Sequence, residues 1–116
     1  MMTPSLISKS SIVPEVAHNA SEPFVVSFLN KYIGTDLEKM LKDKGIQTVI
    51  TVGTFAHGAV LTTAGASAEH GFKAIVPVDG MSSDNVYAEQ YTAWHLVNAP
   101  VIASKITLTK TDMIKF

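Results

Sequence analysis

The stretch Gln47 to Asp79, QTVITVGTFAHGAVLTTAGASAEHGFKAIVPVD, decides the fold, because it reads as one strand, turn, helix, strand unit with its boundary signals intact. Thr48-Val49-Ile50-Thr51-Val52 is β-branched throughout and apolar on both parities, the pattern of a strand buried on both faces of a parallel sheet. Gly53 ends it. From His57 or Gly58 to His70 the residues are small and helix-compatible, Gly71 supplies a left-handed stop, and Lys73-Ala74-Ile75-Val76-Pro77-Val78 begins a second buried strand. In open α/β sheets ligands bind at the carboxyl ends of the strands. Chemistry is therefore to be sought at Gly53 to Ala59 and at Asp79 to Ser83.

Upstream, residues 1–23 carry three prolines, many serines and no sustained period, and are expected to form an irregular arm. A short edge strand near Leu6 to Val13 fits within it. Phe24-Val25-Val26-Ser27-Phe28 reads as the first strand of an α/β domain over residues 24–116, expected to pair beside Thr48 to Val52. Thr35-Asp36-Leu37-Glu38 has the form of a capping box, and Leu37, Met40 and Leu41 then share one helix face until Lys44-Gly45. Downstream, Gly80 to Asp84 is a loop, a helix runs from about Asn85 to Val97, and Ser104 to Thr109 is the last strand. The sum is a three-layer α-β-α, mostly parallel, Rossmann-like sheet of about four strands with crossover helices.

Composition removes several function classes. The chain has 116 residues, 47% apolar and 16% charged, which fits one folded domain. It has no arginine, and its nine lysines form no run, so neither a nucleic-acid footprint nor a polybasic membrane patch is expected. With no apolar span long enough for a bilayer and no leader pattern, a cytoplasmic protein is the expectation. Zero cysteines exclude disulfides, thiolate zinc sites and cysteine nucleophiles.

Several pieces, taken together, resemble the isochorismatase-like hydrolase superfamily, the cysteine hydrolases, which include nicotinamidases, N-carbamoylsarcosine amidases and ureidoacrylate amidohydrolases. They are Tyr32-Ile33-Gly34-Thr35-Asp36-Leu37, the strand Thr48 to Gly53, the turn Thr54 to Ala59, Thr62-Thr63-Ala64, Gly71 and Val78-Asp79-Gly80. The resemblance spans Val25 to the last strand and implies a hydrolase fold acting on a small amide or vinyl ether. It places the nucleophilic cysteine at Ala59, the catalytic lysine near Val26 or Ser27, and the aspartate base on a first strand that is not expected in this sequence. All three triad members are therefore missing, and losing a covalent nucleophile costs many orders of magnitude in rate. By the same resemblance the N–H groups of Phe55 and Ala59 match an oxyanion hole, and the Thr54–Phe55 peptide matches the family's cis bond.

Weighed singly, the candidates lean towards structure. His57 beside Gly58 suits a substrate contact or surrogate base, but a polar turn residue is the better reading. Thr54, Thr62 and Thr63 show no base-plus-orienter spacing and read as packing threonines; Asp79 reads as a cap for the following loop. Glu69 and His70 read as surface residues in a helix's last turn, and Glu89 and Gln90 as solvated. Tyr87, Tyr91, Trp94 and His95 form a stripe expected to pack on the sheet or on a partner subunit. His18 stands alone, and no metal or cofactor is expected. The resulting expectation is a catalytically impaired, homo-oligomeric relative that binds a small carboxylate or amide around Thr54, Phe55, His57, Gly58 and Ala59. The alternatives are a non-catalytic binding or assembly domain and a truncated fragment of a larger hydrolase.

Overall fold

The computed structural model describes Asn19 and residues 21–116; the expected arm strand at Leu6 to Val13, and His18, lie outside the described residues. A mixed α/β fold with parallel strands is present, as the opening stretch requires. Strand β1 (Thr48–Ile50) pairs in parallel with β3 (Lys73–Pro77), and β3 pairs in parallel with β5 (Ile106–Thr109). The register places Val49, Ala74 and Ile106 side by side. Helix α2 (Leu61–Glu69) makes the crossover from β1 to β3, and α3 (Val86–Asn98) the crossover from β3 to β5. A separate parallel ribbon joins β2 (Gly53–Thr54) to β4 (Met81–Ser82).

Alternation along the strands explains the packing. Ala74, Val76, Ile106 and Leu108 turn one face towards Val60, Ala64, Ala68 and Leu96, which builds the main core. Leu96 and Ala64 are fully buried there. Helix α1 (Leu37–Asp43) joins the same side, setting Leu37 and Leu41 against Tyr32, Ala66 and Phe72. The opposite parity, Ile50, Ile75 and Thr107, lines a groove bordered by Met113 to Phe116, and no helical layer covers it among the described residues.

Gly71, at φ 95°, ends α2 as expected. Its N–H donates to Ala68 O at 3.1 Å and Phe72 N–H to Ser67 O at 3.0 Å, the paired bonds of a Schellman stop. The β1 ladder gives out two residues before the expected end. Thr51 N–H still donates to Ile75 O at 3.0 Å, and then Gly53, at φ 127°, turns the chain towards Met81.

Two expectations are corrected here. Phe24 to Phe28 is not a strand and does not pair beside β1. Local bonds hold this segment instead: Ser27 Oγ donates to Ile33 O at 2.8 Å, Lys31 Nζ to Ser27 O at 2.9 Å, and Thr63 Oγ1 to Leu29 O at 3.0 Å. Side chains that engage nearby carbonyls in this way compete with a ladder. The Thr35–Glu38 capping box is also not formed. Thr35 Oγ1 donates back to Lys31 O at 2.6 Å, while Glu38 turns to Lys42 at 2.6 Å, and Asp36 occupies the helix N-cap without a side-chain bond.

Candidate functional site

The turn between β1 and α2 is built from backbone rather than from caps. The Thr54–Phe55 peptide is cis, as the resemblance implies. Residues Ala56–Val60 then wind as a single wide π-turn ahead of α2, with no side-chain cap; Gly58 N–H and Val60 N–H both donate to Phe55 O, at 3.0 and 3.2 Å. The turn is fixed from below by Ala56 and Val60, both buried in the main core. Thr54 Oγ1 donates to Ser82 O at 3.1 Å, which ties the β2–β4 ribbon together and leaves that hydroxyl in a structural role.

Beside the turn, at the carboxyl end of β1, lies a cleft of about 390 Å³. Thr54 and Ala59 line it; Phe55, His57 and Gly58 sit on the turn but are not among its lining residues. The His57 ring stacks on Phe55 instead, with centroids 5.7 Å apart and planes 12° from parallel. Ala59, the position that the resemblance assigns to the nucleophile, presents a methyl group. The cleft also takes in Lys31 and Thr51, which sequence reading passed over as a loop residue and a strand residue. Thr51 Oγ1 is buried and has no hydrogen-bond partner among the described residues. A buried, unpaired hydroxyl calls for an explanation, and a ligand in the cleft is one. The Lys31 ammonium is anchored on the Ser27 carbonyl at 2.9 Å, and the Lys31 backbone N–H donates to Thr63 Oγ1 at 3.3 Å. Thr63 is thus a packing threonine, as expected, bracing the cleft wall to α2. One signal pointed to Thr51: it is the polar residue nearest the carboxyl end of a strand otherwise ready for burial.

The remaining expected residues divide. Asp79 is structural, but it caps a different segment from the one expected: its carboxylate accepts from Thr111 Oγ1 at 2.7 Å and Thr111 N–H at 2.9 Å, which tethers the C-terminal turn. Those bonds, the Thr111 hydroxyl first, hold its carboxyl below the usual aspartate range. His70 is no surface decoration. Its Nδ1 lies 3.2 Å from Glu38 Oε2 and its ring lies 4.7 Å from that of Tyr32. Lys42, and then His70, hold the Glu38 carboxyl low. Burial raises the Tyr32 hydroxyl, which bonds Ser67 Oγ at 2.7 Å. Glu89 is likewise engaged rather than solvated, accepting from Ser83 N–H at 3.0 Å. The α3 stripe does not pack on the sheet: Tyr87 is 74% and Trp94 61% exposed, with Tyr91 between them. Among the described residues no cluster of three acidic or histidine side chains has metal-holding geometry, and no helix is long and apolar enough to cross a membrane.

With cleft, turn and cis bond in place, comparison with known proteins is informative. The isochorismatase domain model matches residues 8–106, so the chain belongs to the isochorismatase family. An isochorismatase-like hydrolase from Alkaliphilus metalliredigens superposes with a TM-score of 0.77 at 25% identity, over 86% of this chain and 53% of that one. A nicotinamidase from Staphylococcus aureus matches at 25% identity and a TM-score of 0.66, over 73% of this chain and 50% of that one. An N-carbamoylsarcosine amidase from Thermoplasma acidophilum shares the fold, with a TM-score of 0.75 at 20% identity, over 92% of this chain and 58% of that one. The chain thus spans about half the length of these solved relatives. No curated protein sequence matches it.

Proposed function

We propose that the turn Gly53 to Ala59 and its cleft bind a small carboxylate or amide without cleaving it covalently. The observation that carries this reading is Ala59: a methyl group lines the cleft where a thiol would have to stand. Covalent amide hydrolysis needs a nucleophile and a base within hydrogen-bond reach of one another. Among the cleft's lining residues there is neither a carboxylate nor an imidazole, and the two hydroxyls of Thr54 and Thr63 are already donated to carbonyls. Binding is better supported. Thr51 Oγ1 has no hydrogen-bond partner among the described residues, Lys31 is one of the cleft's lining residues, and the uncapped turn offers N–H groups to an oxyanion. The names of the relatives suggest the chemistry to try: nicotinamide-like and carbamoyl amides, their carboxylate products, and the vinyl ether isochorismate.

The test is a hydrolysis screen over those compounds with the native chain beside an Ala59→Cys variant. Native protein is expected to be silent. Turnover by it would sink the reading. The exposed stripe of Tyr87, Tyr91 and Trp94, adjoining Val97 at 40% exposure, favours self-association through α3. Light scattering at micromolar concentration should report an oligomer, and a strictly monomeric mass would refute that part.

A further inference from the structure

At the other end of the same strands, a second hollow of about 330 Å³ opens where β1, β3 and β5 begin. Lys42, His70, Lys73 and Lys105 line it, and no carboxylate does. A chain of net charge −1 therefore concentrates three of its nine lysines around one recess. Such convergence of like charge is unfavourable unless something offsets it.

The usual reasons for lysines at this position do not account for them. Helix carbonyl ends attract cations, and α1 and α2 both end here, but four of their last-turn carbonyls are already served by backbone. Leu41 O accepts from Ile46 N–H at 3.0 Å and Lys42 O from Gly45 N–H at 3.0 Å; Ala66 O accepts from His70 N–H at 2.9 Å and Ser67 O from Phe72 N–H at 3.0 Å. Ion pairing engages Lys42, which meets Glu38 at 2.6 Å, and His70, which lies 3.2 Å from the same carboxylate, but neither Lys73 nor Lys105. Lys73 and Lys105 are exposed and make no ion pair among the described residues.

We propose that this hollow binds a small polyphosphate through Lys42, Lys73 and Lys105. Ammonium groups act as compact point charges with freely turning donors, which suits a multiply charged oxyanion; the flat, two-pronged recognition that favours a planar carboxylate needs arginine, and the chain has none. Phe72 is 3% exposed and offers no open ring on which a base can stack, and the His70 ring is already held by Tyr32 at 4.7 Å and Glu38 at 3.2 Å, so the phosphate chain and not a nucleobase is the recognised part. The site is independent of the Ala59 cleft, which lies at the opposite ends of the strands.

The experiment follows amide shifts of the ¹⁵N-labelled full chain during titration with inorganic tripolyphosphate at fixed ionic strength. Saturable shifts centred on Gln47, Gly71, Lys73 and Lys105 are expected. The Lys73→Gln/Lys105→Gln variant should bind about tenfold more weakly, whereas Lys110→Gln/Lys115→Gln should bind as the native chain does. The unperturbed remainder of each spectrum reports that the variants fold. ADP should shift the same amides and adenosine should not. The proposal is overturned by an absence of saturable shifts, by equal weakening in the two variants, by adenosine acting alone, or by malonate binding more tightly than tripolyphosphate.

Discussion

Helices α2 and α3 both start after a strand of the same sheet, yet their first turns are finished differently. At α3, Asn85 Oδ1 accepts from Ala88 N–H at 2.8 Å, which satisfies one open donor of the helix, and Glu89 reaches back to Ser83 N–H at 3.0 Å, which fixes the loop leading into it. At α2 no side chain caps the turn; a cis peptide and a wide π-turn lead into the helix, and buried Ala56 and Val60 hold it from beneath. The first start is closed by hydrogen bonds and the second is kept open by packing. An open helix start above a cleft whose Thr51 hydroxyl has no partner among the described residues is a place proposed for a ligand, whereas a capped one is a place for a fold.

The largest expected effect falls on the packed start. Val60→Ala removes buried methyl groups beneath the turn and should lower unfolding free energy by about 2 kcal/mol, measured by denaturant melts; an effect under a few tenths would show that packing does not hold the turn. Asn85→Ala at the capped start should lose about 1 kcal/mol. Equal losses at a substituted turn residue such as His57→Ala would erase the contrast, because His57 is exposed and caps nothing. Thr51→Val should leave stability unchanged or raise it by up to about 1 kcal/mol, since the hydroxyl it removes has no partner among the described residues. Destabilisation there would mean the hydroxyl is paired.

The smallest effect concerns Asp79, which fastens the C-terminal turn from outside both helix starts. Its folded-state carboxyl titrates below the ordinary value of 3.8. The tether is therefore fully present above that value and is lost as pH falls through the lower, folded one. Thr111 amide exchange should lose its protection in that acid range, and in Asp79→Asn it should be weakly protected at neutral pH as well. Unchanged exchange in the variant would place the turn's anchor elsewhere.

What sequence revealed was local. The β1 and β3 strands, the Gly71 stop and the α3 start were legible because β-branched runs, a left-handed glycine and the polar loop from Gly80 to Asp84 act within a few residues of themselves. The β2–β4 ribbon was not, because two-residue strands carry no period and Gly53 meets Met81 only after the crossover has been built. Phe24 to Phe28 misled for the opposite reason: its composition suits a strand, but Ser27, Lys31 and Thr63 capture the neighbouring carbonyls before a ladder forms. At the site, the turn and Ala59 were legible from the resemblance. Lys31 and Thr51 were not, since a loop lysine and a strand threonine become cleft residues only once β1, α2 and the Leu29–Tyr32 loop meet.

The central claim, proposed above, is that the Ala59 turn and its cleft bind a small carboxylate or amide without cleaving it. One calorimetric titration of the native chain with nicotinic acid and with nicotinamide, each sample then assayed for released ammonia, tests it most directly. Saturable binding of the carboxylate, weakened in Thr51→Val, with no ammonia from the amide is the predicted result. Ammonia released in proportion to native protein, or no binding of either compound, would contradict it.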